Sequence, residues 1–193
     1  MKDEFLKGVM RTRISVLLAT ILASVTIHAA DVLTPGFLKI SLYTNITGTA
    51  VSALTAEPRY PASPDDVRFL RSFNTRDALP NDALENFGGR IEGYLTPLVS
   101  GDYHFFLRSD DASELWLSTD DTEASAVLIA QETGCCGLFA EPGTDPATTA
   151  VPISLIAGDR YFIMVLYKSP GGGNNGQPPG CKGYEGQPGN QGC

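Results

Sequence analysis

The sequence is poor in basic residues and in histidine, and both shortages argue against particular classes of function. Lysine and arginine total 14 against 22 aspartates and glutamates, which gives a formal net charge of −8. A nucleic-acid-binding domain needs a basic patch, and none is visible. Of the two histidines, His28 lies in the N-terminal segment described below, which leaves His104 alone. With one histidine and no C-x-x-C pair, the sequence argues against a zinc site and against a Ser/His/Asp triad.

Residues 1–30 have the three-part pattern of a secretory signal peptide. The basic stretch "MKDEFLKGVMRTR" precedes the uncharged run "ISVLLATILASVTI", and "HAAD" offers small residues for cleavage. The apolar run is shorter than the roughly 20 residues of a comfortable membrane span. His28 stands where a small residue is preferred if cleavage follows Ala30, so an uncleaved N-terminal anchor stays open. Both alternatives predict a protein that is secreted, exposed at the cell surface or periplasmic.

Four cysteines fit such an oxidising compartment. Cys135 and Cys136 are adjacent, whereas Cys181 and Cys193 lie near the C-terminus. Three pairings are open, and the sequence does not choose among them. Because a bridge between adjacent cysteines would be strained, we favour bridges from one or both of Cys135 and Cys136 to the C-terminal segment.

Helical periodicity is almost absent, and residues 31–170 read as eight or nine short β-strands. "GRIEGYL" and "DYHFFL" alternate in polarity on either side of a Ser-Gly-Asp turn, a pattern that predicts a hairpin. In "ELWLS", Leu115 and Leu117 alternate with Trp116. "RYFIMVLYK" is apolar on both faces, as a central strand would be. Short strands without helical crossovers predict an all-β fold, an antiparallel sandwich or barrel-like domain.

Residues 171–193 change in character, and we expect a disordered, glycine-rich tail or linker. Nine of these 23 residues are glycine, and five of them recur at every third position from Gly180. A collagen triple helix needs this spacing, but the run is short and poor in proline. The predicted organisation is therefore a signal peptide, a β domain over residues 31–170 and this tail.

Two adjacent acids, Asp110 and Asp111, interrupt the apolar pattern of "HFFLRSDDASELWL". Neighbouring carboxylates repel, so the turn is either solvated, with the carboxylates capping backbone N–H groups, or built around a cation. Carboxylates are usual ligands of calcium, which takes six to eight oxygens. No EF-hand spacing occurs, and a second acidic cluster, at Asp120, Asp121 and Glu123, is interpreted as a charged loop.

The central region resembles the PA-14 domain family in "RIEGYLTPLVSGDYHFFLRSDDASELWLSTD", in the upstream "FLKISLYTNITGTAVSAL" and in the downstream "ISLIAGDRYFIMVLYK". The positions that carry the motif are Gly93, Tyr94, Leu95, Pro97, Ser100, Gly101, Tyr103, Ser109, Asp110, Asp111, Leu115, Trp116, Leu117, Ala157, Gly158 and Tyr161. The resemblance implies a β-sandwich or barrel-like fold. It also implies a non-catalytic module of the kind found in secreted glycosidases, bacterial surface proteins, toxins and fungal adhesins.

The resemblance also implies a site. In sugar-binding members, adjacent aspartates joined by a cis peptide bond hold calcium, and the ion binds vicinal hydroxyls of a terminal sugar; these would be Asp110 and Asp111. A later Asp-Asn pair adds calcium ligands in the adhesins, and Asn175 stands at that place here. The loop at Cys135 and Cys136 would shape the ligand pocket. This sequence departs from the family after residue 170, where we expect no closing apolar strand.

Three functions follow as hypotheses. The first is a secreted, non-catalytic carbohydrate-binding or adhesion module that uses calcium at Asp110 and Asp111 to bind a glycan. The alternative is a structural or protein-interaction domain of a surface protein, without metal. A glycosidase needs carboxylates that face each other roughly 5–10 Å apart across a cleft, and neighbours on one turn suit this poorly, so we expect no enzymatic activity.

Overall fold

The computed structural model describes residues 36–134 and 140–170, together with the backbone of residues 180–184. The only α-helix in this part of the chain is α1 (Val51–Thr55). Short 3-10 turns occupy Thr75–Asp77 and Glu123–Ser125. The strands are β1 (Leu38–Tyr43), β2 (Asp66–Leu70), β3 (Phe87–Leu95), β4 (Gly101–Arg108), β5 (Ser113–Leu117), β6 (Val127–Glu132), β7 (Ile153–Leu155), β8 (Tyr161–Ser169) and β9 (Gly180–Tyr184). None of the helices described here has the length and apolar character to cross a membrane.

The strands form two antiparallel sheets, and the prediction of an all-β antiparallel fold is confirmed. Six strands follow the order β2-β1-β3-β8-β5-β6, and the other three follow the order β7-β4-β9. The main core joins side chains from both sheets, for example Ile91 and Val165 from the first and Phe105 and Leu107 from the second. Each such side chain contributes about 1.5–3 kcal/mol when fully buried, so this layer holds the sheets face to face.

The outer face of the six-stranded sheet carries a second apolar cluster, which α1 covers. Leu54 of α1 packs there with Tyr43 and with Phe162, Met164 and Leu166 of β8. Every residue of β8 is buried, which confirms its prediction as a central strand with apolar neighbours on both faces. The sequence did not predict α1, because five residues are too few to show helical periodicity.

The predicted hairpin between β3 and β4 is wrong. β3 pairs with β1 and β8, while β4 pairs with β7 and β9 in the other sheet. The Ser-Gly-Asp segment at residues 100–102 therefore carries the chain from one sheet to the other. Alternation reports only that each strand buries one face. Both strands bury a face in the same core, so the pattern looks the same whether they pair or oppose each other.

The strand β9 lies within residues 171–193, the segment expected to be a tail or linker without a closing strand. β9 pairs antiparallel with β4, from His104 opposite Tyr184 to Arg108 opposite Gly180. The sequence "GCKGY" has no apolar alternation that could have predicted this strand. β9 thus forms one edge of the three-stranded sheet.

Packing of α1 on β3 allows a direct test. A Cβ added at Gly88 would lie 2.7 Å from Leu54 Cδ1 and 3.0 Å from Leu54 Cβ, so Gly88→Ala should lower the free energy of unfolding by about 1–3 kcal/mol through overpacking. Gly101→Ala is the matched control, since nothing lies within 4 Å of a Cβ at that position. Urea denaturation of both variants measures the difference, and equal losses would contradict this account of the packing.

Candidate metal and ligand site

The two adjacent aspartates lie where the chain passes from the end of β4 to the start of β5. The peptide bond between Asp110 and Asp111 is cis. Asp110 is only 6% exposed, and Asp111 is half-buried. A solvated turn would leave both side chains in water, so that alternative does not describe Asp110.

Hydroxyl groups hold the backbone of this turn. The Tyr167 hydroxyl donates to the Asp110 carbonyl oxygen at 2.5 Å. Ser109 Oγ donates to the Asp111 carbonyl oxygen and lies 2.7 Å from Ser113 Oγ. Tyr167 is itself buried and packs edge-on against the ring of Phe87. The carbonyl group of Asp110 is therefore satisfied by a donor on β8, and that of Asp111 by Ser109, which directly follows β4. These bonds fix the backbone from which the two carboxylates extend.

Lys168, near the end of β8, also contacts the aspartate turn. Its backbone N–H donates to the Ala112 carbonyl oxygen at 2.9 Å, and its carbonyl oxygen accepts from the Asp111 N–H at 3.4 Å. The Lys168 side chain is fully buried, and its Nζ donates to the Ser169 carbonyl oxygen at 2.9 Å. A buried cation is thus built into the strand that braces the aspartates.

The charges of the site act on one another. Burial raises the pKa of Asp111, the negative charge of Asp110 raises it further, and Lys168 opposes both. Burial lowers the pKa of Lys168, against the attraction of Asp111. Burial also raises the pKa of Tyr167 to about 12, with smaller contributions from Asp110 and Asp111. The charge of Lys168 therefore offsets only part of what disfavours an ionised Asp111.

These donors fit a hard cation such as calcium. Asp110 and Asp111 offer carboxylate oxygens in a poorly solvated place, where burial and then the charge of Asp110 raise the pKa of Asp111. A cation bound to the pair would favour the ionised carboxylates. No cluster of three or more His, Cys, Asp or Glu side chains suited to a metal occurs within the described part of the chain, so any further oxygens must come from elsewhere.

Three predicted site residues, Asn175, Cys135 and Cys136, lie outside the described residues, and their roles stay predictions. The described chain stops beside the aspartates at Pro170, one residue after β8, and resumes at Gly180, which pairs with Arg108. Among the described residues, Arg108 pairs with Gly180, and Lys168 contacts Asp111 through its backbone.

The sequence did not predict that Lys168 and Tyr167 support the aspartate turn. A signal for Lys168 was present, because it is the one charged residue in the apolar interior of "YFIMVLYKS". A charge in a strand that is buried on both faces needs a partner. No comparable signal marks Tyr167, since a tyrosine in such a strand is ordinary core.

The second acidic cluster makes structural contacts instead of a site. The Asp120 carboxylate accepts hydrogen bonds from Thr122 and Ser125. Asp121 pairs with Arg160 and Glu123 pairs with Arg90. Each acid stabilises its loop or a neighbouring strand, in agreement with the interpretation as a charged loop.

Known proteins resemble this chain in sequence and in fold. The family model described as "PA14 domain" matches residues 73–179, more than half of the chain. The mouse (Mus musculus) protein N-acetyl-beta-glucosaminyl-glycoprotein 4-beta-N-acetylgalactosaminyltransferase 1 is 29% identical over 143 residues, which cover 72% of this chain. The matched region amounts to only 13% of the length of that relative.

Two solved structures of the Epithelial Adhesin 9 A domain from Candida glabrata have a similar fold. The complex with Galb1-3GlcNAc is 13% identical, with a TM-score of 0.51, and the match covers 80% of this chain and 83% of that one. The complex with Galb1-4GlcNAc is also 13% identical, with a TM-score of 0.50, over 79% and 84% of the two chains. At this identity the likeness concerns the fold alone.

The electrostatics of Asp111 predict a pH dependence in metal-free buffer. A raised pKa in the folded state means that the contribution of Asp111 to stability is complete below about pH 4 and is lost as the pH rises through the raised pKa. Asp111→Asn removes this loss, so the variant should gain stability relative to the wild type between about pH 4 and pH 7. Urea denaturation across that range measures the difference.

The control is Asp121→Asn, which removes an exposed acid that pairs with Arg160. Its difference from the wild type should change less with pH than that of Asp111→Asn. Parallel stability curves for Asp111→Asn and the wild type would show that burial and Asp110 do not disfavour the ionised carboxylate.

Proposed function

Because the chain belongs to the PA14 domain family, we propose that it is a non-catalytic carbohydrate-binding module that uses calcium at Asp110 and Asp111. The observation that carries the proposal is the pair of adjacent, poorly solvated carboxylates on the turn between β4 and β5. Adhesin domains of similar fold were crystallised with Galb1-3GlcNAc and Galb1-4GlcNAc, which supports a glycan as the ligand class.

In this proposal some residues of the site bind the ion and others support the backbone of the turn. Asp110 and Asp111 would bind the ion, while Tyr167 and Ser109 keep the backbone of the turn in place. Calcium accepts six to eight oxygen ligands, so an ion held by a few protein oxygens has coordination positions left for neighbouring sugar hydroxyls. Rigid placement matters because it lowers the entropy lost when a weakly held glycan binds.

The same geometry argues against chemistry on the glycan. Asp110 and Asp111 are consecutive and do not face each other across a cleft, as the two carboxylates of a glycosidase do. The ring of His104, the only histidine among the described residues, has Nδ1 2.9 Å from the Thr149 carbonyl oxygen. We propose an accessory role outside the cytoplasm, with a glycan or cell-surface carbohydrate as the partner. The limited share of the mouse transferase that this chain matches suits such a role.

One observation favours the alternative of a metal-free structural or interaction domain. The charge of Lys168 already opposes the rise in the pKa of Asp111, so the turn has some internal compensation before any ion binds. The two functions differ in their response to calcium and to glycans, and the following experiments separate them.

Calcium should stabilise the folded domain through the aspartate pair. At a free calcium concentration about 100-fold above the dissociation constant, the melting temperature should rise by about 5–10 °C. Asp110→Asn should abolish the rise, because it removes one ionised carboxylate from the site. Asp121→Asn is the control and should keep the rise, since Asp121 pairs with Arg160 away from the site. A melting temperature that calcium and a chelator leave unchanged would sink the metal part of the proposal.

Glycan binding should depend on the same ion. On an array that includes terminal galactosides, the wild type should bind in calcium and lose its signal in a chelator, whereas Asp110→Asn should not bind under either condition. Asp121→Asn should bind like the wild type. If the wild type binds calcium but no glycan on the array, the carbohydrate-binding part of the proposal fails while the calcium part stands.

A further inference from the structure

We infer that Asn45 is an attachment site for an N-linked glycan. Asn45, Ile46 and Thr47 form the tripeptide Asn-x-Thr, which is an acceptor for N-glycosylation. The pattern Asn-x-Ser/Thr occurs once in the sequence, and neither the calcium role nor the carbohydrate-binding role proposed above makes use of it. The inference rests on the proposed location outside the cytoplasm but not on the proposed ligand.

The tripeptide lies on the turn that leaves β1 after Tyr43. Asn45 and Thr47 are exposed, whereas Ile46 between them is buried. Ile46 packs in the apolar cluster that α1 covers, and its N–H donates to the Asn86 carbonyl oxygen at 2.7 Å. The buried residue therefore anchors the turn, while the two residues that a glycosylating enzyme must recognise are accessible from solvent.

The backbone of Asn45 lies in the left-handed region, with a φ of 61°. Asparagine adopts this conformation more readily than most residues, so the turn by itself explains an asparagine at this position. It does not explain the exposed threonine two residues later. The two residues together are explained by a modification site on a surface turn.

The side-chain amide of Asn45 is accessible for modification. Among the described residues, the amide makes a hydrogen bond from Nδ2 to Thr44 Oγ1 at 3.4 Å, which is longer than a usual N–H···O bond. Thr44 Oγ1 itself donates to the Asp65 carboxylate at 2.9 Å. Replacement of one amide hydrogen by a sugar therefore leaves the stronger contacts of this turn in place.

The modification is a glycosyl transfer from an oligosaccharide carried on a lipid pyrophosphate. Nδ2 of Asn45 attacks the anomeric carbon of the first sugar, so a bond forms between that carbon and the nitrogen. The bond between the same carbon and the pyrophosphate oxygen breaks, the amide gives up one proton, and the lipid pyrophosphate leaves. No oxidant or reductant takes part.

The attached glycan would project from the end of the six-stranded sheet that carries the aspartate turn. Tyr43, two residues before Asn45, pairs with Gly88, and Gly88 pairs with Lys168. The Lys168 carbonyl oxygen accepts from the Asp111 N–H. Because neighbouring strands lie about 5 Å apart, Tyr43 and Lys168 are separated by about 10 Å. A bulky, solubilising glycan at this turn therefore borders the candidate ligand site.

The test is expression of the full chain in a eukaryotic cell that N-glycosylates its secreted proteins, followed by peptide mapping with mass spectrometry. The glycan should lie on Asn45, and a peptide-N-glycosidase should remove it. Thr47→Ala should lose the glycan completely, whereas Thr47→Ser should keep it, because either hydroxyl residue completes the pattern. Substitution at position 47 is preferred, since it leaves the left-handed asparagine in place.

Asn86 is the matched internal control. It is exposed, has a φ of 52° and accepts the hydrogen bond from the Ile46 N–H. Gly88 stands two residues later, where the pattern needs serine or threonine, so Asn86 should carry no glycan. This comparison within the wild-type chain holds even if a Thr47 variant fails to fold.

The outcomes separate this inference from the proposed function. If the secreted wild type carries no glycan at Asn45, or if Thr47→Ala keeps one there, the inference is overturned while calcium and glycan binding are unaffected. A chain that stays in the cytosol without a glycan contradicts both the inference and the proposed location. If the secreted chain is glycosylated at Asn45 but binds neither calcium nor a glycan, the inference stands and the proposed function fails.

Discussion

The burial of β8 on both faces is the constraint on which the rest of the structure depends. Its inner residues, such as Val165, join the core between the sheets, and its outer residues, such as Met164, pack in the cluster covered by α1. The strand pairs with β3 along nine residues and with β5 on its other side. Near the end of this strand, Tyr167 and Lys168 contact the aspartate turn. The candidate site is thus fixed to a strand that is buried along its whole length.

The fold carries charged side chains at two places, an ion-pair network and the aspartate turn. On the outer face of the six-stranded sheet, Lys39 and Arg90 pair with Glu92 and Glu123, two cations with two anions. Among these residues only the Arg90 Nε atom is buried without a hydrogen-bond partner among the described residues. At the aspartate turn, burial and the charge of Asp110 raise the pKa of Asp111, and Lys168 opposes them. Burying charge is unfavourable unless it is compensated, so the ion-pair network is structural, whereas the turn is the place at which we propose that a cation binds.

The sequence predicted those features that each strand carries by itself. Alternation identified Phe105, Leu107, Leu115 and Leu117 as core residues, because a strand with one buried face shows its period directly. It did not reveal which strands pair, since β3 and β4 contact the same core from opposite sheets. The strand β9 was missed for a related reason: backbone pairing leaves no trace in the composition of "GCKGY". The aspartate pair stood out in the sequence as two acids within an apolar pattern. The contacts of Lys168 with the turn are visible only in the structure.

The two poorly solvated carboxylates at the turn bear on the choice between a structural domain and a binding module. A structural domain needs only a stable connection from β4 to β5, and at neutral pH an ionised, half-buried Asp111 weakens that connection. A calcium site would benefit from the same unfavourable interaction, because relieving it would make the binding free energy of the ion more favourable. The proposed ion-binding role therefore gives this pair of acids a function that a purely structural domain would not need.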